Sequence, residues 1–187
     1  MKKILIDSIE DHQRLLEEHK KVIVKNVLEI SKVVNIAINS GRKILLFGNG
    51  GSASDAQHIA AEFTGRFLKE RKALPAVALT TDTSALTAIG NDYGFDKIFQ
   101  RQVEAIATEG DVLIGISTSG NSVNVINALE TGKVKKCINI SLTGNKGGKI
   151  LELSDYNINI NSNVTARIQE IHILIGHLLC NCIDESF

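Results

Sequence analysis

His58 and Glu62 stand four residues apart. On a helix they share one face, a turn apart. An imidazole and a carboxylate so placed can pass a proton or hold a divalent cation. The same spacing also describes an ordinary surface pair. Glu62 lies among Ile59, Ala60, Ala61 and Phe63. A carboxylate beside such an apolar face is partly desolvated, which suits it to act as a base. A second set, Gln169, Glu170, His172 and His177, lies inside an otherwise apolar stretch near the end of the chain. Polar groups in a buried helix need partners, so these are either satisfied core side chains or parts of a site. A third set is Ser117-Thr118-Ser119-Gly120-Asn121-Ser122. Its hydroxyls, grouped around a glycine, can donate to phosphate oxygens, or can simply cap a helix. Asn91 and Asp92 suit sugar hydroxyls, and also suit a plain turn.

These residues need a scaffold. Lys43 to Phe47 is an apolar run of strand length, followed by Gly48-Asn49-Gly50-Gly51-Ser52. Glycine makes such a turn easily. A helical pattern runs from Ala53 to Lys69, with Ser52 or Ser54 available as N-cap. Strand, glycine turn and helix start together form an anion site, through free N–H groups and the helix dipole, or else a tight packing turn. Four further strands are expected at Ala76–Leu79, Asp111–Ile116, Cys137–Leu142 and Tyr156–Ile160. Helical patterns separate them: Ser84 to Thr108, interrupted at Gly90–Gly94; Val123 to Leu129; and a short stretch near Lys149. Nearly all-apolar strands alternating with helices predict a three-layer α/β/α sandwich around a five-stranded parallel sheet. Ligands bind such sheets at the C-terminal strand ends. The whole chain, 1–187, reads as one domain. Its first forty residues form a helical extension, helical from Asp7 to Asn39 with Leu16, Ile23, Val27, Ile30 and Val34 on one face. That helix is expected to pack against a neighbouring subunit rather than its own domain, with His12 and His19 facing solvent. The terminal helix, Thr165 to Ile183, is apolar on most of its circumference and is expected to be buried or in an interface.

The 187 residues carry a formal net charge of zero. No basic excess points to nucleic acid, no basic amphipathic stretch to a membrane surface, and no apolar run reaches spanning length. The start, MKKILIDSIEDHQ, turns acidic too soon for a signal peptide, so a cytoplasmic protein is expected. The three cysteines read as reduced thiols rather than zinc ligands. Two nucleotide motifs are approached and missed. Between Ser141 and Ile150, Gly144 and Gly148 are one residue too close for a P-loop, and Ile150 replaces its Ser or Thr. Gly48-x-Gly50-x-x-Ala53 fits a loose dinucleotide pattern, but no acidic residue ends the second strand. No nucleotide or redox cofactor is expected.

The glycine turn, the hydroxyl loop and the terminal helix together resemble the sugar isomerase (SIS) domain. More closely, FGNGGSASDAQHIAAEFTGRF, GNDYGF, GISTSGNS and RIQEIHILIGH resemble the phosphoheptose isomerases, over nearly the whole chain. The resemblance implies an aldose–ketose isomerase. Such enzymes interconvert sedoheptulose 7-phosphate and D-glycero-D-manno-heptose 7-phosphate, toward nucleotide-activated heptose for bacterial surface polysaccharide. It implies that Asn49, Gly50, Gly51 and Ser52 border the sugar, with Asn91, Asp92 and Gln169 as further substrate contacts. Ser117, Thr118, Ser119 and Ser122 would cradle the phosphate. Glu62 and His177 match the acid/base pair, and His58, Glu62, Gln169 and His177 match ligands for one zinc per subunit. It further implies a homo-oligomer, a tetramer, whose small-molecule partner is a sugar phosphate. One position departs: Ala166 stands where many of these isomerases have Asp. Alanine there also resembles a sister group, the DnaA initiator-associating proteins, which lack the pair matching Glu62 and His177. This chain keeps both.

An aldose–ketose shift moves a proton between C1 and C2 through an enediol. Glu62 suits the base, and His177 suits protonation of oxygen or ring opening. A zinc would compete for the same side chains. Gln169 and His177 lie eight residues apart on one helix, ~12 Å along its axis and about 80° around it. Two side chains so separated do not easily meet one ion, which predicts that a neighbouring chain supplies at least one of the four.

Overall fold

The computed structural model describes residues 1–187. The five strands are β1 (Ile44–Gly48), β2 (Ala76–Ala78), β3 (Val112–Ser117), β4 (Ile138–Gly144) and β5 (Tyr156–Ile160). All pair in parallel, in the order β2-β1-β3-β4-β5. Six helices accompany them: α1 (Lys2–Asn39), α2 (Gly51–Thr64), α3 (Thr83–Tyr93), α4 (Gln100–Ile106), α5 (Val123–Val134) and α6 (Thr165–Asp184).

The apolar runs become strands because both faces of the sheet are covered. Ile44 and Leu46 point into a core shared with α1, α2 and α6. Leu45 and Phe47, one residue out of phase, point into a second core with α4 and α5. Side chains that alternate across a strand and are buried on both faces need apolar residues at every position. The expected three-layer sandwich and long first helix are therefore present.

Strand order reverses between β1 and β3, since the chain leaves β1 for β2 on one side and then crosses over to β3 on the other. In parallel sheets a crevice opens at such a reversal, outside the C-terminal strand ends. The glycine turn after β1 and the hydroxyl loop after β3 flank it.

Several boundaries differ from expectation. α1 begins at Lys2, five residues early, and its buried Leu15, Ile23, Val27, Ile30 and Val34 pack within its own domain, along α6 and beside β5. His12 and His19 are half-buried, not solvent-facing. His12 Nδ1 meets Glu170 at 2.8 Å, and His19 bridges the Leu15 carbonyl and the Asn161 N–H. α3 continues through Gly90 and stops at Gly94, whose φ of +92° no ordinary residue adopts easily. One internal glycine costs a helix only ~1 kcal/mol, which neighbouring contacts offset. α2 begins two residues early, at Gly51, and ends at Thr64 rather than Lys69.

Candidate active site

The glycine turn is built by close approach. A β-carbon on Gly48 would lie 2.7 Å from the Ile116 carbonyl and 2.8 Å from Ser52 Cβ, so α2 starts tight against β3. Gly50 takes the N-cap position at φ +57°, and no side chain caps the helix. Neither Ser52 nor Ser54 does so; Ser52 is buried in the first turn. Asn49 is not a free polar group. Its amide exchanges two hydrogen bonds of 2.9 Å with the amide of Asn124, near the start of α5. This pair ties the two loops together across the crevice.

The hydroxyl loop after β3 forms a cluster. Buried Ser117 Oγ lies 2.9 Å from Ser122 Oγ and 3.4 Å from Ser119 Oγ. Ser122 is the N-cap residue of α5, yet its hydroxyl bonds to Ser117 rather than to the helix. Ser119 is exposed and accepts from the Asn121 N–H. Thr118 accepts through its carbonyl from Asn145. Gly120, at φ +65°, lies against Gly147 and Gly148, where a β-carbon would overlap their backbone. The stretch that only superficially resembles a P-loop therefore supports the hydroxyl loop from beneath.

The reactive side chains meet on the seam between α2 and α6, which run side by side in the same direction. Gly51 faces Gln169, Ile59 faces Gly176, and His58 faces His177. His58 Nε2 stands 3.2 Å from His177 Nε2 and 3.2 Å from Glu62 Oε1. One donor atom from each of His58, Glu62 and His177 lies within 4.8 Å of the others. His177 of the same chain thus completes the His58–Glu62 pair, and of the four expected ligands Gln169 alone does not join it. The eight-residue gap on α6 is matched by the rise of α2 alongside it. Gln169 sits at the other end of the seam, its Nε2 2.5 Å from where a β-carbon on Gly51 would be. It borders the glycine turn. Phe67 stacks on His177, with ring centroids 5.5 Å apart and planes inclined 20°.

The three donors fit a metal ion. Ligands ~2.0–2.1 Å from one tetrahedral zinc lie roughly 3.3 Å apart, and two His nitrogens with a carboxylate make a donor set used by catalytic zinc. Without an ion, one imidazole must donate N–H to the other.

Asn91 and Asp92 lie elsewhere. They are exposed near the end of α3, in the layer opposite α2 and α6, with Asn91 donating to Asp92 at 2.8 Å. Asp92 lines a cavity of about 530 Å³ with Val77, Tyr93 and Arg101. Ala166 is exposed in the first turn of α6.

Sequence reasoning passed over Asp55 and Asn124; His172, one of the polar groups it named in α6, proves to be a core side chain. Asp55 stands one turn before His58. Burial pushes its pKa up to about 6, partly opposed by His58, and its Oδ2 is buried without a partner. His172 is fully buried and donates from Nε2 to the Thr143 carbonyl at 3.0 Å. Burial holds its pKa down at about 4, the Thr143 bond opposing only in part. The i, i+3 spacing of Asp55 and His58 was a visible signal. Asn124 gave none, because its partner lies 75 residues away.

Residues 9–144 match the SIS domain family. The chain is 55% identical to the phosphoheptose isomerase of Aliarcobacter butzleri over 186 residues, covering all of this chain and 98% of that one. It is similar in structure to the phosphoheptose isomerase of Neisseria gonorrhoeae, with TM-score 0.93 and 47% identity over 98% of each chain. A phosphoheptose isomerase from Francisella tularensis superposes with TM-score 0.94, at 36% identity over 99% of each chain.

Proposed function

The chain belongs to the phosphoheptose isomerases of the SIS domain family, and from that premise we infer that it interconverts sedoheptulose 7-phosphate and D-glycero-D-manno-heptose 7-phosphate. The observation that carries this reading is the meeting of His58, Glu62 and His177 on a seam whose other end borders the glycine turn at the strand reversal.

The 7-phosphate belongs at the loop after β3, where Ser119, Ser122 and the start of α5 offer donors to its oxygens, with Ser117 and Thr118 completing the cradle. The sugar extends past Gly50, Gly51 and Ser52 toward the seam, with Asn49 fixing the turn and Gln169 offering its amide. Glu62 takes the proton from one carbon and returns it to the neighbouring carbon. One of its oxygens faces His58, and the other is left for this work. His177, where it is not itself a metal ligand, moves the hydroxyl proton. Phe67 covers one face of the imidazole and restricts water there. Asn91 and Asp92 contact substrate only if a second copy brings its α3 to this site.

His58, Glu62 and His177 would hold a zinc ion, one per subunit, while Gln169, packed on Gly51 at the far end of the seam, would join such a donor set only from a neighbouring copy. When bound, zinc polarises the carbonyl oxygen as a Lewis acid. The protein acts as a homotetramer. Ile4, Leu5 and Ile9, exposed by 60–67% on the first turns of α1, form an apolar strip that another copy would cover. No helix is long and apolar enough to cross a membrane. A cytoplasmic role early in heptose supply for surface polysaccharide follows from the family.

The test is incubation of the purified protein with sedoheptulose 7-phosphate. Appearance of the aldose, together with its loss in Glu62→Gln, is the expected result. No aldose from the folded, zinc-loaded wild type would overturn the reading.

A further inference from the structure

For Glu62 and His177 to meet, the C-terminal parts of α2 and α6 must hold a fixed separation. One ion pair touches both. Arg71, in the segment after α2, and Asp184, the last residue of α6, each have side chains 1% exposed and meet at 2.7 Å. Arg71 donates to the Glu62 carbonyl at 2.8 Å and to the Phe63 carbonyl at 2.9 Å. These belong to the last turn of α2, which has no internal partner for its carbonyls. Asp184 Oδ2 accepts from the N–H groups of Leu68 at 2.7 Å and Lys69 at 3.0 Å. Those bonds fix the chain next to Phe67, whose ring stacks on His177.

We propose that Arg71 and Asp184 are positioning residues for the isomerisation, a buried ion pair that sets Glu62 against His177 and seats Phe67 over the imidazole. The proposal rests on the isomerase reading of the seam. A buried ion pair is a weak source of stability, since desolvation offsets its attraction and apolar replacement is often neutral or better. What it supplies is direction, through charge-assisted bonds of fixed length to both helix ends. Burial pushes the Asp184 carboxyl up, but the bonds from Lys69, Leu68 and Arg71 outweigh it and hold it below the usual range. The pair is therefore charged at neutral pH. A misplacement of ~1 Å at reacting groups can cost ~10²-fold in rate.

Asp184→Asn keeps the shape and removes the charge. Its kcat should fall about 10- to 100-fold, with KM for the sugar phosphate changed less than about threefold, because the hydroxyl loop is not attached to the pair. Zinc affinity of the metal-free protein, read by chelator competition without turnover, should fall about tenfold. Arg71→Lys keeps the charge but loses the fork to the two carbonyls, and should behave likewise. The control is Asp111→Asn, which breaks a pair with half-buried Lys43 (2.6 Å) at the starts of β1 and β3, bonded to neither α2 nor α6. It should lower Tm without these losses. The proposal is overturned if Asp184→Asn and Arg71→Lys stay within twofold of wild type in kcat and zinc affinity, or if Asp111→Asn loses as much. Should both clamp variants fail to fold, Phe67→Leu decides: kcat down about threefold or more at constant KM supports it, and unchanged kcat sinks it. If the wild type turns over no sugar phosphate, the isomerase reading fails by itself and the chelator competition still decides the positioning role.

Discussion

The seam between α2 and α6 and the rim formed by the loops after β1 and β3 do different work with different materials. The seam is made of side chains. Two imidazoles and a carboxylate reach toward one point, and their geometry depends on where two helices end. The rim is made largely of backbone and short hydroxyls. Its geometry depends on glycines pressed against the neighbouring backbone, Gly48 on Ile116 and Gly120 on Gly147. Binding needs a surface that does not move, and close backbone contact supplies it. Proton transfer needs groups whose ionisation can change, and only side chains supply those.

This contrast can be broken experimentally. Glu62→Gln should lower kcat by about 10²–10⁴-fold while the sugar phosphate still binds, because the rim is untouched. A variant that keeps most of its turnover would place the base elsewhere. Since His58, Glu62 and His177 come from one chain, mixed oligomers of Glu62→Gln and His177→Ala subunits should recover no activity after dissociation and reassembly. Recovery would mean that the reactive pair spans two chains.

At the rim the expected effects are smaller and fall on affinity. Ser122→Ala removes a hydroxyl from the phosphate and the nearer hydroxyl partner of buried Ser117, so it should cost about 3 kcal/mol in binding of a 7-phosphate ligand by calorimetry. Ser119→Ala, which orphans nothing buried, should cost about 1.5 kcal/mol. Equal, negligible losses would move the phosphate off this loop.

The smallest effect separates two buried titrating groups near the seam. His172 titrates near 4 when folded and near 6.5 in its ordinary state. The unfolded chain therefore binds more protons between those values, and stability falls as pH drops through them. Asp55 acts in reverse. Its folded value of about 6 exceeds the ordinary 3.8, so its contribution is present at low pH and is lost as pH rises through 6. In metal-free protein, Asp55→Asn should make the acid-side loss of stability steeper, measured by urea unfolding from pH 7 to 4.5. Identical slopes would remove Asp55 from this balance.

Much of the rim was legible in the sequence. β1, the glycine turn and α2 are contiguous, and the hydroxyls of the second loop span six residues, so local pattern described them. The seam was only half legible. His58 and Glu62 share a helix face by spacing alone, but arithmetic on α6 by itself separated Gln169 from His177. The structure keeps those two at opposite ends of the seam; what spacing could not show is that α2 runs alongside and brings His58 to His177. Arg71 and Asp184 lie 113 residues apart with no periodicity to mark them. Asn91 and Asp92 look like a loop because Gly90 and Gly94 are alike in sequence. Only Gly94 has the positive φ that ends the helix.

The parallel run of α2 and α6 has a mechanical consequence. Gly51 admits the Gln169 amide at one end, Gly176 admits Ile59 in the middle, and His58 meets His177 at the other end. The two helices engage like toothed racks. Interlocking of this kind opposes sliding, so the two seam glycines keep the imidazoles in register along the axis while the ion pair at the helix ends fixes how far apart they stand.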